Sequence, residues 1–181
     1  MIDDKTHFIG VLPSLEIERI VESDRKCRET YGCRSGHSTP IHVTLVPPFS
    51  SKKSTEEIRD IINGILPLLT PFVGKVDGYG SFGNRTIFLR VLPSEDWDNL
   101  SQVLAKGLRA MGESVKVDGK KLIPHFTVAN RDIPPESFSF MLDKLSSHGF
   151  SSNFTVDSVA LFHREGRLWR LREEDIIKIG M

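Results

Sequence analysis

An α+β fold built as two similar lobes is the architecture this sequence predicts, and three observations predict it. Apolar strands are mixed with amphipathic helices along the whole chain. A strand carrying His-x-Thr, followed by a helix, occurs twice, which points to a duplication about a pseudo-twofold axis. No segment is low in complexity, and no linker is long enough to divide the 181 residues, so residues 1–181 are expected to form one two-lobed domain with one sizeable core. Each lobe should be mostly antiparallel sheet with its helices on the outside.

The elements follow from local pattern. Thr6 to Pro13 reads as a first strand ended by proline. Ser14 to Tyr31 is helical, with Ile17, Ile20, Val21 and Cys27 near one face and Gly32 as its stop. The loop CRSGHSTP leads into the first His-x-Thr strand. Ser54 and Glu57 have capping-box spacing at the head of a helix whose stripe is Ile58, Ile61, Ile62, Ile65, Leu66 and Leu69. Pro67 should shorten its end. Two strands follow, FVGKVDGYGSF and RTIFLRVLP, joined by a Gly-Asn-Arg turn. The next helix starts near Ser94 and should bury Trp97, Leu100, Leu104, Leu108 and Met111, with Gly112 ending it. After a turn at Asp118-Gly119 comes the second His-x-Thr strand. Pro134 and Pro135 then open a helix with Phe138, Met141, Leu142 and Leu145 facing in. The segment FTVDSVALFHREGRLWRLRE reads as a hairpin turning near Glu165-Gly166.

Composition narrows the function classes. Lys+Arg and Asp+Glu each number 24, so the net charge is zero. A protein that coats nucleic acid generally is usually basic, so any such role here should be local to a pocket. Cys27 and Cys33 form neither a disulfide framework nor a Cys-x-x-Cys pair and read as two reduced thiols. The first residues lack a basic stretch followed by an apolar run, and no apolar run approaches the roughly 18 residues of a membrane span. A cytoplasmic protein, not membrane-bound, is expected.

The chemistry lies in TPIHVTLVPPF and LIPHFTVANR. On a strand, residues i and i+2 share a face. His42 and Thr44 therefore point one way, with Ile41, Val43 and Leu45 on the other face. His125 and Thr127 do the same, opposite Phe126 and Val128. If the two strands lie together, two imidazoles and two hydroxyls converge. That set suits a phosphodiester. One neutral imidazole can take a proton from a nucleophile while the other, protonated, gives one to the leaving oxygen. The hydroxyls can hold the non-bridging oxygens. The chemistry requires no metal and no cofactor.

On the residues HVTLVPPF and HFTVANR, supported by GSFGNRTIFLRV and SVALFHREGRLWRL, the chain resembles the two-histidine phosphoesterases. These include the 2′-5′ RNA ligase-like proteins and the RNA 2′,3′-cyclic phosphodiesterases. The resemblance implies a central cleft between two lobes lined by the two motifs, with His42, Thr44, His125 and Thr127 as the catalytic set. It also implies a substrate that is an RNA end or nucleotide bearing a cyclic phosphate, opened to a 2′-phosphate. A 2′-5′ phosphodiester, a cyclic phosphate on a small metabolite, and a non-catalytic RNA-end binding module are the alternatives. Many members carry arginine where this chain has Asn130, with Arg131 following, and a Gly-containing run where it has VPPF; both differences bear on the substrate. No obligate protein partner is inferred, and a monomer is expected.

Among the other candidates, Phe49 and Phe82 could stack on a base, whereas Phe126 should pack in the core. Arg131 and Arg34 could anchor a second phosphate. His148 suits a helix end. His7 lies on a strand outside any His-x-Thr context, His163 sits at a hairpin end, and His37 reads as a loop residue. No pair has the spacing or the acidic company of a metal site. GYGSFG lacks the lysine and spacing of a phosphate loop and reads as a bend or turn.

Overall fold

The computed structural model describes residues 5–34 and 39–181. Among the described residues, nine strands and four α-helices run in the order β1 (His7–Val11), α1 (Leu15–Glu29), β2 (Val43–Phe49), α2 (Thr55–Ile65), β3 (Phe72–Phe82), β4 (Thr86–Val91), α3 (Glu95–Ala110), β5 (His125–Asn130), α4 (Phe138–Ser146), β6 (Ser151–Val156), β7 (Ser158–Glu165), β8 (Leu168–Arg170) and β9 (Ile176–Lys178). They make two antiparallel sheets, one per lobe. The first has the order β2-β1-β7-β8, with β9 also paired to β7; the second has the order β5-β4-β3-β6.

The duplication is visible in the pairing. β1 pairs with β2 across α1, as β4 pairs with β5 across α3. β7, from the second half, completes the first sheet beside β1, while β3, from the first half, completes the second beside β4. Both His-x-Thr strands are thus edge strands. The two edges, β2 and β5, lie against each other.

An edge strand leaves carbonyls and amides without ladder partners, and buried ones must be satisfied otherwise. Here helices from each half do so. Arg28 of α1, almost fully buried, donates to the Val128 carbonyl of β5. Ser101 of α3 donates to the Leu45 carbonyl of β2 at 2.7 Å. Tyr79 of β3 donates to the buried carboxylate of Asp24 on α1 at 2.6 Å. The buried face of α1 therefore runs Ile17, Val21, Asp24, Arg28, and Cys27 is only half-buried. One apolar cluster joins both sheets and the helices, with Trp97, Ile9, Leu45, Ile62 and Phe126 among its largest members.

Most local expectations hold. The Ser54–Glu57 capping box is formed in both directions, and Pro67 sits in a 3₁₀ turn that closes α2. Gly78, at φ +70°, marks an irregularity in β3 between Val76 and Tyr79, so the Gly-rich stretch is a bend. Gly112, at φ +88°, follows α3. Three expectations fail. Met111 is 54% exposed, because α3 ends at Ala110 and Met111 is already turning toward Gly112. The double proline forms a turn, and α4 begins at Phe138. The C-terminal hairpin is β7–β8 only, since β6 pairs with β3 in the other sheet and the chain crosses between lobes at Asp157. No helix among the described residues is long and apolar enough to cross a membrane.

Ser101→Ala should cost about 1–3 kcal/mol, because it strands a buried carbonyl on the edge strand that carries His42. Chemical denaturation should show a lowered midpoint; an unchanged midpoint would contradict the role given to this bond.

Candidate active site

Alternation along β2 and β5 leaves Thr44 and Thr127 partly exposed on one face and sends Val43, Leu45, Phe126 and Val128 into the core. Both histidines stand at the strand starts, partly buried. The two rings are held in the same way. His42 Nδ1 lies 2.7 Å from the Pro40 carbonyl oxygen, and His125 Nδ1 lies 2.8 Å from that of Ile123. A carbonyl oxygen only accepts, so each Nδ1 carries the proton and donates it. Each Nε2 is then left as the free lone pair. The Thr44 hydroxyl, 3.2 Å away, donates to Nε2 of His42.

Each ring also packs against a pair of phenylalanines that touch each other, Phe8 with Phe162 at 4.3 Å and Phe82 with Phe88 at 4.5 Å between centroids. His42 lies 4.6 Å from Phe8 and 5.3 Å from Phe162, centroid to centroid. His125 lies 4.9 Å from Phe88 and 5.0 Å from Phe82. The phenylalanine pairs obey the duplication, because Phe8 and Phe88 come from β1 and β4, and Phe162 and Phe82 from β7 and β3. Gly10 makes room for the first ring. A Cβ there would meet the Val43 carbonyl oxygen at 2.7 Å and the His42 Cβ and Cδ2 at 3.3 Å.

Such surroundings disfavour charge. Burial pushes the His42 imidazole down to about 4, against the pull of the Pro40 carbonyl; the positive charges of Arg25 and of His125 lower it further. The strands that carry the two rings lie against each other, and a charge on His125 would also lower His42. Burial lowers His125 as well, opposed by the Ile123 carbonyl. At neutral pH both rings are neutral.

Arg25, on α1, was not picked out from the sequence. Its Nε and Nη2 donate to the Thr127 carbonyl at 3.2 and 3.1 Å, and its Nη1 donates to the Thr39 carbonyl at 2.9 Å. It thus ties the approach to the first motif to the second motif. Burial lowers its guanidinium to about 10, with Arg28 adding to the effect. Its partners are backbone atoms on other elements, so no local signal marks it. Phe8, Phe162 and Phe88 were missed for the same reason.

The remaining candidates separate clearly. Phe49 corrects its expectation: it is 1% exposed, on the core face of β2 and opposite His42, and cannot stack on a base. Phe82 is 39% exposed beside His125 and remains available to a substrate. Arg131 is exposed at the end of β5, in a left-handed backbone at φ +75°. Arg34 is exposed, its amide donating to Asp132. Phe126 is in the core, and His148 is exposed just after α4. His7 and His163, paired across β1 and β7, are buried behind the sheet. His37 lies outside the described residues. No group of three or more His, Cys, Asp or Glu among the described residues could hold a metal ion. A cavity of about 760 Å³ opens beside the first motif, between α1 and β8, with Arg25, Thr39, Pro40, Ile41 and Trp169 among its walls.

The neutral rings make stability depend on acid. His7, His42 and His125 are all held below the ordinary imidazole value of 6.5, each mainly by burial. The unfolded chain binds more protons once the pH drops below 6.5, so stability is lost from there down toward about 4. Asp24, whose carboxyl burial raises, acts in the opposite sense but stands alone against three imidazoles. Thermal unfolding across this range should show a falling midpoint; a flat or rising midpoint between pH 6.5 and 5 would contradict neutral burial of these rings.

Comparison with known proteins agrees with this fold. The model of the 2′-5′ RNA ligase superfamily matches residues 13–168. No curated protein sequence gives a significant match. Among solved structures, TT0787 of Thermus thermophilus is similar at 20% identity and a TM-score of 0.66, over 97% of this chain and 98% of that one. LigT of E. coli, solved with 3′-AMP, is similar at 18% identity and a TM-score of 0.59, over 93% and 95%. These likenesses are of fold. With the family match extending over most of its length, the chain belongs to the 2′-5′ RNA ligase superfamily, a family of phosphoesterases and ligases.

Proposed function

We propose that the protein hydrolyses a cyclic phosphodiester, opening the 2′,3′-cyclic phosphate of an RNA end or nucleotide to a 2′-phosphate by two-histidine acid–base catalysis. The observation that supports this most is the matched pair of imidazoles, each pinned through Nδ1 to a carbonyl so that its Nε2 is left for chemistry.

In this mechanism the Nε2 lone pair of one histidine takes a proton from water as the water oxygen bonds to phosphorus. The bond from phosphorus to O3′ breaks, and the other histidine, protonated at Nε2, gives its proton to O3′. Two neutral rings become one acid and one base when substrate arrives. The phosphate anion beside a ring favours its charged form and raises its pKa. Thr44 gives up its bond to His42 and, with Thr127, donates to the non-bridging oxygens, where charge is held in the transition state. Putting a 5′-hydroxyl in place of water in this same step forms the bond from phosphorus to O5′ as that to O3′ breaks and so joins a 2′-5′ linkage, and the reverse of the step cleaves one, so the alternative substrate of that linkage uses the same four residues. LigT structures contain 3′-AMP, ATP and NADP+, and nucleotides are the ligand class proposed here. Both motifs come from one chain, so the reading needs no partner subunit, and we place the activity in the cytoplasm.

Three measurements check this. His42→Ala and His125→Ala should each lower kcat by about 10²–10⁴-fold on a cyclic-ended substrate. The double variant should be little worse than either, since groups acting as a unit are not additive. Thr44→Val and Thr127→Val should cost on the order of 10–10³-fold, and His148→Ala should change little. Near-normal turnover in a folded His42→Ala or His125→Ala protein would overturn the proposal. The profile of kcat/KM against pH reports the free enzyme, in which both imidazoles are lowered. It should be a bell with its maximum on the acid side of 6.5; a maximum above pH 8 would count against the pair. Activity should survive excess chelator, and a loss restored by zinc or magnesium would refute the metal-free route.

A further inference from the structure

The two motif strands share an irregularity, and the duplication repeats it. In β2, Thr44 stands opposite Gly10 of β1 and Val46 opposite Ile9, so Leu45 is an extra residue without a counterpart. In β5, Thr127 stands opposite Phe88 of β4 and Ala129 opposite Ile87, so Val128 is the extra residue. Each His-x-Thr is therefore followed directly by a β-bulge. Both bulges leave the same mark on burial. Leu45 and Val46 are buried in succession, and so are Val128 and Ala129. Strict alternation would instead turn Val46 and Ala129 back to the face of the threonines. The bulge thus ends the polar face of each motif at its threonine.

The ladder alone does not pin a bulge. Moving it one residue toward the histidine changes the register of the threonine by one, and a slip of one residue sends a side chain to the other face. In both strands the carbonyl of the extra residue is held from outside the sheet. The Ser101 hydroxyl of α3 donates to the Leu45 carbonyl at 2.7 Å, and the Arg28 guanidinium of α1 donates to the Val128 carbonyl. Arg25, one turn earlier on α1, holds the preceding carbonyl, that of Thr127. The anchors are crossed. α1 belongs to the first half and holds the bulge of the second motif, while α3 belongs to the second half and holds the bulge of the first. Both anchors are buried, Ser101 at 2% and Arg28 at 1% exposure. The Nε and Nη2 of Arg28 have no hydrogen-bond partner among the described residues, and the Asp132 carboxylate offsets part of its charge. Burying a guanidinium so incompletely satisfied is costly, and stability alone gives little reason for it at this position.

We infer that Arg28 and Ser101 are positioning residues for the acid–base site: each fixes, from the helix of the other half, the β-bulge behind one His-x-Thr motif and so the direction in which that motif's threonine and histidine point. The inference rests on the function proposed above. Each half of the chain then sets the geometry of the other half's motif, Arg28 for His125 and Thr127, and Ser101 for His42 and Thr44.

The test crosses each anchor with each threonine. Turnover of a nucleoside 2′,3′-cyclic phosphate is measured for Arg28→Met and Ser101→Ala, alone and combined with Thr44→Val or Thr127→Val, well below the unfolding midpoint of each variant. Either anchor variant should lower kcat by about 10–100-fold with KM little changed, as misplacement of a catalytic group does. Arg28→Met should add little to Thr127→Val but multiply with Thr44→Val, and Ser101→Ala should add little to Thr44→Val but multiply with Thr127→Val. Arg28→Lys, which keeps a donor, should recover part of the lost kcat. Should Arg28→Met fail to fold, Ser101→Ala and its two crosses decide the matter. An anchor variant that leaves kcat unchanged, or that multiplies alike with both threonines, would overturn the inference and leave the cyclic phosphodiesterase reading intact. If the wild-type protein opens no cyclic phosphate, that reading falls, and the ring ¹⁵N signals of the histidines decide this one: Arg28→Met should shift those of His125 and not of His42, Ser101→Ala the reverse, and any other pattern overturns it.

Discussion

The bond from each imidazole Nδ1 to a carbonyl two residues earlier is the constraint on which the rest of the site depends. It fixes the tautomer, sets the ring plane, and leaves Nε2 as the one nitrogen free for chemistry. It can form only because each histidine opens a strand, where the chain just before it has left the ladder and its carbonyl is unclaimed. The proline before each motif fits this, since Pro40 itself supplies one of the two carbonyls and Pro124 separates His125 from the other. The strands must also be edges, because only then can two lobes bring their motifs face to face. Arg25, Arg28 and Ser101 settle the backbone groups that such edges leave open.

Around that constraint the surroundings tune charge. A pair of touching phenylalanines packs against each ring, and the buried rings respond by staying neutral. A neutral pair is poised rather than finished, since a bound phosphate supplies the charge that makes one ring an acid. Gly10 shows how tight this arrangement is. The first sheet gives up a side chain on β1 so that the His42 ring can lie over it and reach Phe8. The pseudo-symmetry covers the rings and the phenylalanines packed against them.

What could be read from the sequence was what is local. The period of two placed His42 with Thr44 and His125 with Thr127 before any pairing was known. The Ser54–Glu57 spacing placed a helix start, and the recurrence of the motif foretold two lobes. What could not be read depends on which strands are neighbours. Phe8 and Phe162 look like ordinary strand residues until β1 and β7 pair. Arg25 looks like one more surface charge until β5 lies beside α1. Phe49 failed for a different reason: it lies beyond two register shifts that add residues in β2, on the core face, where its size fills space rather than meets a ligand. The placement of β6 in the other sheet was hidden because one residue, Asp157, is all that separates it from β7.

The claim at the centre of this account is the shared tautomer, and ring nitrogen NMR on protein labelled with ¹⁵N-histidine observes it directly. At neutral pH, His42 and His125 should each give the signature of a neutral imidazole with its proton on Nδ1 and a bare Nε2, assigned by loss of the signals in His42→Ala and His125→Ala. A proton on Nε2 in either ring, or an imidazolium at neutral pH, would contradict it.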